Sequence, residues 1–308
     1  MRSTVGRVKI RNGSLALHVA EDGDPLAPPI LLMHGITMSG GTWGWFVPTL
    51  AERFRVLRLD FRGHGESDRA PGEYFPGGYV SDAVAAIEQA AGRPCIVMGH
   101  SLGGATAAAL AQQHPDLVVA AVMEDPPLGL AGNPNVDAVD AAGGAGDDTM
   151  LDGNSLLEAF RVIRESAPQL QSSGITAAVL EGVLAAAPTA SGGTLGELLH
   201  PDGIASMAGA LLTLDASVLD PVLTGTISSF LDCEKPFQVP SLIVCADPSK
   251  PDAVADPALA QHFASISPTT EVVVLDGAGH LIHDERASRH EFRSVALAFI
   301  DRVTSAPS

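Results

Sequence analysis

Two kinds of hydrophobic pattern alternate along the chain and predict its secondary structure. Short, nearly continuous apolar runs, which are typical of buried strands, occur at 29–33, 54–59, 94–98, 117–123, 239–246 and 271–275. Segments with helical spacing or composition occur at 43–53, 80–91, 105–113, 257–266 and 285–302. Strands that alternate with helices predict an α/β fold with a mostly parallel sheet, and such sheets carry their sites at the carboxyl ends of the strands.

The beginning and the middle of the chain depart from this alternation. Runs of alternating polarity at 4–10 and 15–20 flank an Asn-Gly turn signal and predict a hairpin. From 128 to 237, alanine, glycine and leucine dominate and no strand is predicted, while a glycine-rich stretch at 143–148 is predicted to be a loop. Helical runs in this region occupy 156–165, 176–187 and 204–212.

This change of pattern predicts the domain organisation. Residues 1–127 form the first part of an α/β core, residues 128–237 a helical cap, and residues 238–308 the second part of the core, because regular strands resume after the helical region. With 308 residues, of which 46% are hydrophobic, the chain is long enough to bury a sizeable core.

Charge and cysteine usage narrow the choice of partners and compartment. The formal net charge of −18 argues against nucleic acid and anionic membrane surfaces as partners. No apolar window approaches the length of a membrane span, and residues 1–13 lack the apolar run of a signal peptide. The 3 cysteines have no metal-like spacing and suit a reducing compartment. We therefore expect a cytoplasmic protein with no membrane partner; a monomer and a homo-oligomer are equally compatible with the sequence.

The run 99–103, Gly-His-Ser-Leu-Gly, contains the strongest chemical signal. It follows an apolar strand-like run and precedes small, helix-forming residues, and this strand–turn–helix order is that of a nucleophile elbow. The glycines let the strand and the helix approach closely around a strained serine. Ser101 is therefore predicted to be a nucleophile at the start of a helix, where backbone N–H groups favour developing negative charge.

A serine hydroxyl is a poor nucleophile until a base removes its proton. His280 is the predicted base, because it follows the last strand on a Gly-Ala-Gly turn that can bring the imidazole over Ser101. Among the other histidines, His283 is interpreted as a flanking or capping residue of the last helix, and His34 and His64 as structural residues in glycine turns.

At these residues the chain resembles the α/β-hydrolase superfamily. The matching pieces are His34 with Gly35, the Asp-Phe-Arg-Gly-His-Gly-Glu-Ser turn at 60–67, the run 99–103 and the Gly-Ala-Gly-His turn at 277–280. They occur in the order of the superfamily and cover nearly the whole chain except the cap. The resemblance implies an α/β-hydrolase fold with a serine nucleophile.

The acid that orients the histidine has more than one candidate. In the superfamily it usually stands three residues past the small residue that ends the strand near 246, and here that position is Ser249. Asp247 and Asp252 lie close to that position. The other known place is the end of the strand after the nucleophile helix, where Glu124 and Asp125 stand. Asp125, which follows the predicted nucleophile by 24 residues, is the preferred acid, and the other three carboxylates stay open. The side chains of Glu124 and Asp125 would point to opposite faces of the strand, so only one of them can serve.

The remaining parts of the site are predicted from the same turns. An oxyanion hole needs two backbone donors, and these are expected from Leu102 and from the turn at Gly35 and Ile36. Three aromatic residues that follow this turn offer a wall for an apolar substrate, although core packing explains each of them equally well; they are Trp43, Trp45 and Phe46.

More narrowly, the chain resembles the zearalenone lactonases, which open the resorcylic macrolactone of a fungal oestrogenic toxin. These enzymes take the acid from the strand after the nucleophile, at the separation that Asp125 has, where the better-known fungal type carries a glutamate. The resemblance implies a lactonase that acts on a small apolar ester or lactone. Ser101 would attack the lactone carbonyl to form an acyl-enzyme, and a water activated by His280 would release the hydroxy acid.

Other functions stay open at this point. A general carboxylesterase and a C–C bond hydrolase share the scaffold, and a hydrolase-like receptor would bind its ligand with little turnover. Enzymes of this scaffold with a carboxylate nucleophile are disfavoured because Ser101 occupies that position. No cofactor is predicted, and no metal site either, because no third ligand is convincingly placed around His280, His283 and Asp284.

Overall fold

The computed structural model describes residues 6–129, 154–189, 192–227 and 230–305. The loop predicted at 143–148 lies outside the described residues, as do the first two positions of the predicted run 4–10.

Eight strands form one sheet in the order β1-β2-β4-β3-β5-β6-β7-β8. Their bounds are β1 Gly6–Asn12, β2 Leu15–Asp22, β3 Pro29–Met33, β4 Arg55–Leu59, β5 Cys95–His100, β6 Val118–Glu124, β7 Ser241–Cys245 and β8 Thr270–Val274. β2 pairs antiparallel with β1 and with β4, and every other neighbouring pair is parallel. The predicted hairpin and the predicted mostly parallel sheet are confirmed.

Helices connect the strands and form the region between β6 and β7. Their bounds are α1 Val47–Leu50, α2 Pro76–Ala86, α3 Leu102–Gln113, α4 Asn154–Ser172, α5 Ala177–Ala185, α6 Leu195–Leu198, α7 Pro201–Leu211, α8 Asp220–Leu223, α9 Pro257–Ile266 and α10 Arg289–Ser305. Short 3₁₀ turns occupy Gly40–Trp43, Pro115–Leu117 and Ala216–Leu219, and a π-helical turn, Ile87–Ala91, continues α2.

Several predicted helices have different bounds in the structure, and for two of them the residues show why. The single helix predicted at 43–53 is a 3₁₀ turn followed by the four-residue α1, because Gly44 lies between them and Pro48 cannot donate a backbone hydrogen bond. The last helix starts at Arg289 rather than at 285. The residues before it form a loop closed by side chains, in which Ser288 Oγ donates to Ile282 O at 2.8 Å.

The two faces of the sheet bury separate parts of the core. In β3, Ile30 and Leu32 belong to one hydrophobic cluster, while Leu31 and Met33 belong to the other. Successive strand residues point to opposite faces, so a strand buried on both faces reads as a continuous apolar run. This packing fixes the carboxyl ends of β3, β5, β6 and β7 side by side, which is where the candidate site lies.

Between β6 and β7, the described part of the predicted cap contains helices and isolated bridges but no strand. The bounds of the cap at 128 and 237 stay predictions. Within the part of the chain that the structure describes, no single helix is long and apolar enough to cross a membrane. One pair, Pro201–Leu211 with Ala216–Leu223, passes that test together by length and composition, and it is bent by 104°.

Candidate active site

Ser101 lies between β5 and α3 with a backbone conformation that few non-glycine residues adopt. Its φ is 51° and its ψ is −113°. The strand and the helix can meet around it only because the flanking residues lack side chains: a Cβ on Gly99 would overlap the backbone of Gly103, and a Cβ on Gly103 would overlap the backbone of Met33. The Gly-x-Ser-x-Gly pattern is therefore a steric requirement of this turn.

His280 and Asp125 form a short, buried pair. His280 Nδ1 lies 2.6 Å from Asp125 Oδ2, and the side chains are 8% and 0% exposed. A carboxylate can only accept here, so Nδ1 carries the proton and donates it. This tautomer leaves Nε2 as the nitrogen with a free lone pair, which is the form that a general base needs.

Three backbone N–H groups fix the Asp125 carboxylate. Oδ1 accepts from Ala246 N at 3.0 Å and Ala255 N at 3.1 Å, and Oδ2 accepts from Val254 N at 3.0 Å. All three donors belong to the loop after β7. Asp125 itself has a φ of 39°, which turns its side chain from the end of β6 toward this loop and toward His280.

The other three candidate acids have other partners. Asp247 is exposed and accepts from Ser249 and from the backbone of Gly277, and these hydrogen bonds lower its pKa to about 2. Asp252 Oδ2 accepts from the backbone N of His280 at 3.3 Å and does not contact the ring nitrogens. Glu124 contacts a different histidine, described below. Of the four candidate carboxylates, only Asp125 hydrogen-bonds to the imidazole of His280.

The turn after β3 lies against Ser101. A Cβ on Gly35 would lie 3.5 Å from Ser101 Cβ and 2.7 Å from His100 Nδ1, so only glycine fits there. Among the described residues, no hydrogen bond is formed by the backbone N–H of Ile36 or of Leu102. Both predicted donors are thus free to bind a ligand atom.

The arrangement of His280 relative to Ser101 differs from its arrangement relative to Asp125. Among the hydrogen bonds of the described residues, none joins Ser101 Oγ to His280. The imidazole of His280 packs on the ring of His100, the residue before Ser101, with 4.6 Å between ring centroids. Catalytic hydrogen bonds are often long in the absence of substrate.

The predicted aromatic wall is corrected for two of its three members. Trp43 and Phe46 are completely buried in the core cluster of the β3 face that carries Ile30 and Leu32, so neither offers a surface to a substrate. Trp43 stacks on His283, and Phe46 stacks on Trp45. The half-buried Trp45 ring also carries the guanidinium of Arg289 at 4.7 Å, so its face is occupied as well.

The prediction for His283 is also wrong, because this residue is fully buried and does not flank the helix. Its Nδ1 lies 2.8 and 2.9 Å from the two Glu124 oxygens, and its Nε2 lies 2.8 Å from Thr42 Oγ1. Burial lowers the pKa of His283, but the carboxylates of Glu124 and Asp284 outweigh burial and raise it above the ordinary value. Burial raises the pKa of Glu124.

Three buried side chains near this pair have the spacing of a metal site. Candidate ligand atoms of His100, Glu124 and His283 all lie within 4.8 Å of one another. Two histidine nitrogens and a carboxylate oxygen suit zinc or a similar ion. Both ring nitrogens of His283 are, however, engaged by Glu124 and Thr42. The sequence analysis did not predict this group of side chains. Two sequence features could have pointed to it: the glutamate beside Asp125 and the histidine beside Ser101.

Comparison with known proteins places the chain in a family. Residues 28–287 match the family described as alpha/beta hydrolase fold. The chain belongs to this family. It is 27% identical to sn-1-specific diacylglycerol lipase ABHD11 of Mus musculus over 287 residues, which are 92% of this chain and 82% of that protein.

Two further relatives match over shorter stretches. The chain is 34% identical to 2-(acetamidomethylene)succinate hydrolase of Mesorhizobium japonicum over 37% of this chain and 40% of that protein. It is 35% identical to Lipase LipV of Mycobacterium tuberculosis over 41% of this chain and 47% of that protein. The matches to these two relatives span less than half of their lengths. The chain is thus an α/β-hydrolase with lipase and esterase relatives.

Solved structures share the fold. E-2-(acetamidomethylene)succinate hydrolase superposes with a TM-score of 0.66 at 24% identity, covering 97% of this chain and 100% of that one. A membrane phospholipase A, a bacterial virulence factor, gives 0.68 at 18% identity, covering 98% and 87%. The enol-lactonase of Burkholderia xenovorans gives 0.57 at 22% identity, covering 96% and 99%. The predicted α/β-hydrolase fold is confirmed.

Proposed function

We propose that the protein hydrolyses carboxylic esters through an acyl-enzyme on Ser101, with His280 as the base and Asp125 as the acid. The observation that carries this proposal is the 2.6 Å hydrogen bond between His280 and Asp125 beside a serine held at a φ of 51°. The pair sets the imidazole tautomer, and the strained turn presents the hydroxyl at the start of α3.

The reaction follows from these positions. His280 Nε2 takes the proton of Ser101 as Oγ bonds to the ester carbonyl carbon. The carbonyl oxygen becomes negative, and the free N–H groups of Ile36 and Leu102 are the donors to stabilise it. The alcohol leaves with the proton from His280. Water then gives a proton to His280 and attacks the acyl carbon. The bond from that carbon to Ser101 Oγ breaks, His280 returns the proton to Oγ, and the carboxylic acid is released.

A zearalenone-type resorcylic macrolactone is the substrate that we propose. The proposal rests on the resemblance to the zearalenone lactonases, which two features carry: the acid at the end of β6, 24 residues after Ser101, and Ser249 at the position where the superfamily usually carries the acid. Ring opening of a lactone leaves the alcohol attached to the acyl group, so one product results. Decarboxylation of the freed acid would need no further side chain.

A general carboxylesterase is the second candidate. The match to the diacylglycerol lipase of Mus musculus over 92% of this chain favours an ester with an acyclic acyl group. A C–C bond hydrolase and a hydrolase-like receptor would use the same scaffold. In each case we propose a small apolar molecule as the partner, rather than nucleic acid or a membrane, and a cytoplasmic location.

The test is a screen of purified protein with macrolactones, including zearalenone, and with small p-nitrophenyl esters, in which product masses are measured. We expect the macrolactone to gain the mass of one water, with multiple turnovers when the ligand is in excess. Ser101→Ala is expected to abolish this product while still binding the ligand.

Each alternative gives a different outcome of that screen. Turnover of p-nitrophenyl esters alone would assign a general esterase. Cleavage of a carbon–carbon bond would be visible as two fragments. Binding of the macrolactone without turnover would assign a receptor, and an unchanged rate in Ser101→Ala would contradict the serine mechanism.

A further inference from the structure

Each loop of the proposed triad carries a second ionisable side chain that the reaction does not use. His100 precedes Ser101, Glu124 precedes Asp125, and His283 follows His280 by three residues. These second side chains are 1%, 0% and 0% exposed. A charged or polar group at such depth is costly unless neighbouring groups satisfy it, so their arrangement calls for a physical reason.

Glu124 ties together the loops of the nucleophile and of the base. Its backbone carbonyl accepts from Ser101 N at 2.8 Å. Its side chain accepts from the backbone N of His283 at 2.8 Å and from His283 Nδ1 at 2.8 Å. Since Asp125 is the next residue, Glu124 is joined through chain or hydrogen bonds to all three loops.

His100 supplies a second connection. Its Nε2 lies 2.9 Å from the carbonyl oxygen of His280 and donates to it, and its ring packs on the rings of both His280 and His283. Burial lowers the pKa of His100 well below the ordinary value, so the ring is neutral and carries its proton on Nε2. The backbone of His280 is thus held from the nucleophile side.

From His283 the hydrogen bonds continue outward to the cap. His283 Nε2 donates to Thr42 Oγ1, and Thr42 Oγ1 donates to Asp284 Oδ2 at 3.2 Å. Arg289 donates to Asp284 Oδ1 at 3.0 Å and to both carboxylate oxygens of Asp202 at 2.9 Å. Asp202 lies in the first turn of cap helix α7.

We propose that Glu124 and His283 are positioning residues, which hold the His280–Asp125 pair in register with Ser101 and connect it through Thr42, Asp284 and Arg289 to cap helix α7. This inference rests on the proposed function, because it assigns the residues a role in that reaction. Neither residue touches the reacting atoms. A displacement of about 1 Å in a catalytic group can lower the rate on the order of 100-fold. Residues that hold the triad rigidly therefore have a large effect on the rate.

The test measures how fast Ser101 reacts with a fluorophosphonate, followed by intact mass, so that no knowledge of the natural ester is needed. Ser101 Oγ bonds to phosphorus, fluoride leaves, and the hydroxyl proton passes to His280. Glu124→Gln and His283→Gln are each expected to slow this reaction by roughly 10- to 100-fold. Glu21→Gln removes a carboxylate that pairs with Arg55 at the β2–β4 pair, away from the triad, and is expected to react like wild type.

A milder pair of variants keeps the test valid if Glu124→Gln or His283→Gln fails to fold. Thr42→Val keeps the shape of the side chain but removes the hydroxyl between His283 and Asp284, and it should slow labelling severalfold. Thr42→Ser retains the hydroxyl and should restore the wild-type rate. The Nδ1 proton that His280 donates to Asp125 gives a far-downfield proton NMR signal, which should move or broaden in Thr42→Val and not in Thr42→Ser.

The outcomes separate this inference from the proposed function. If wild-type protein is not labelled at Ser101, the proposed function fails. If wild type is labelled and folded Glu124→Gln, His283→Gln and Thr42→Val react equally fast with an unchanged NMR signal, the positioning role is overturned. Loss of labelling after dialysis against a chelator, with recovery on addition of zinc, would also overturn it in favour of a metal site at His100, Glu124 and His283.

Discussion

Two residues of the proposed triad have backbone conformations that non-glycine residues rarely adopt. Ser101, with a φ of 51°, and Asp125, with a φ of 39°, are the only non-glycine residues there with positive φ. Each such conformation costs on the order of 1–3 kcal/mol and persists only where the surroundings fix it. At Ser101 the flanking glycines permit it. At Asp125 three backbone donors from the loop after β7 hold the carboxylate in place.

The role of Asp125 can be tested by Asp125→Asn. An amide offers an N–H where the carboxylate accepts from His280 Nδ1, so the imidazole would turn to the wrong tautomer. We expect kcat on the ester found by the screen to fall by about 10⁴-fold, with KM little changed. Asp247→Asn, which alters an exposed carboxylate bonded to Ser249 and Gly277, is the control and should keep wild-type activity. Near-normal activity of Asp125→Asn would refute its role as the acid.

Sequence-based prediction and structure differ most at residues whose type does not tell on which side of the backbone the side chain lies. The positions of Ser101, His280 and Asp125 at the ends of strands were predictable because a turn pattern or a strand end fixes them, while their catalytic roles stay predictions. Trp43 was not, because its ring turns into the core and stacks on His283. His283 was missed because its partner Glu124 is distant in sequence, and a histidine before an aspartate resembles a helix flank.

At the scale of elements, the site depends on how closely β5, α3 and β3 approach one another. Small residues fill the buried face of α3, and the backbone N of Gly103 donates to His34 O at 3.1 Å. This hydrogen bond joins α3 to the turn after β3. The sequence predicted both elements, but not the direct contact of their backbones, since that contact depends on tertiary packing.

The same substitution in two helices tests this close approach. Gly103→Ala would place a Cβ into the backbone of Met33, so β3 and α3 must separate, and we expect a loss of about 1–3 kcal/mol in the free energy of unfolding. Gly182→Ala lies within α5, where a Cβ meets no atom within 4 Å, and should gain about 0.5–1 kcal/mol. Urea unfolding of both variants gives the two values. Equal effects of the same sign would refute a steric role for Gly103.

At the scale of the whole molecule, the chain leaves the sheet after β6 and returns at β7, so the predicted cap is inserted between Asp125 and His280. Hydrogen bonds connect the predicted cap to the core at several places: Tyr74 donates to Asp215 at 2.7 Å, and the backbone N of His200 donates to Asp284 O at 2.8 Å. The sequence predicted the insertion from its loss of strand patterns. It did not predict these contacts, because single polar residues in a helical region carry no signal of their partners.

At the same scale, a buried histidine in the turn after β3 makes the stability of the fold sensitive to acid. Burial, with a contribution from His64, lowers the pKa of His34 to about 3, and His34 Nε2 accepts from Phe61 N at 3.1 Å, which requires the neutral ring. The unfolded chain binds this proton near pH 6.5 and the folded chain does not, so stability falls as the pH is lowered through that value. Between about pH 7.5 and about pH 5.5 this histidine alone should remove about 1.4 kcal/mol from the free energy of unfolding.

Urea unfolding at both pH values, for wild type and His34→Gln, measures this loss of stability. The variant should lose less stability than wild type by that amount, and an equal loss in both proteins would contradict the assignment of a neutral His34.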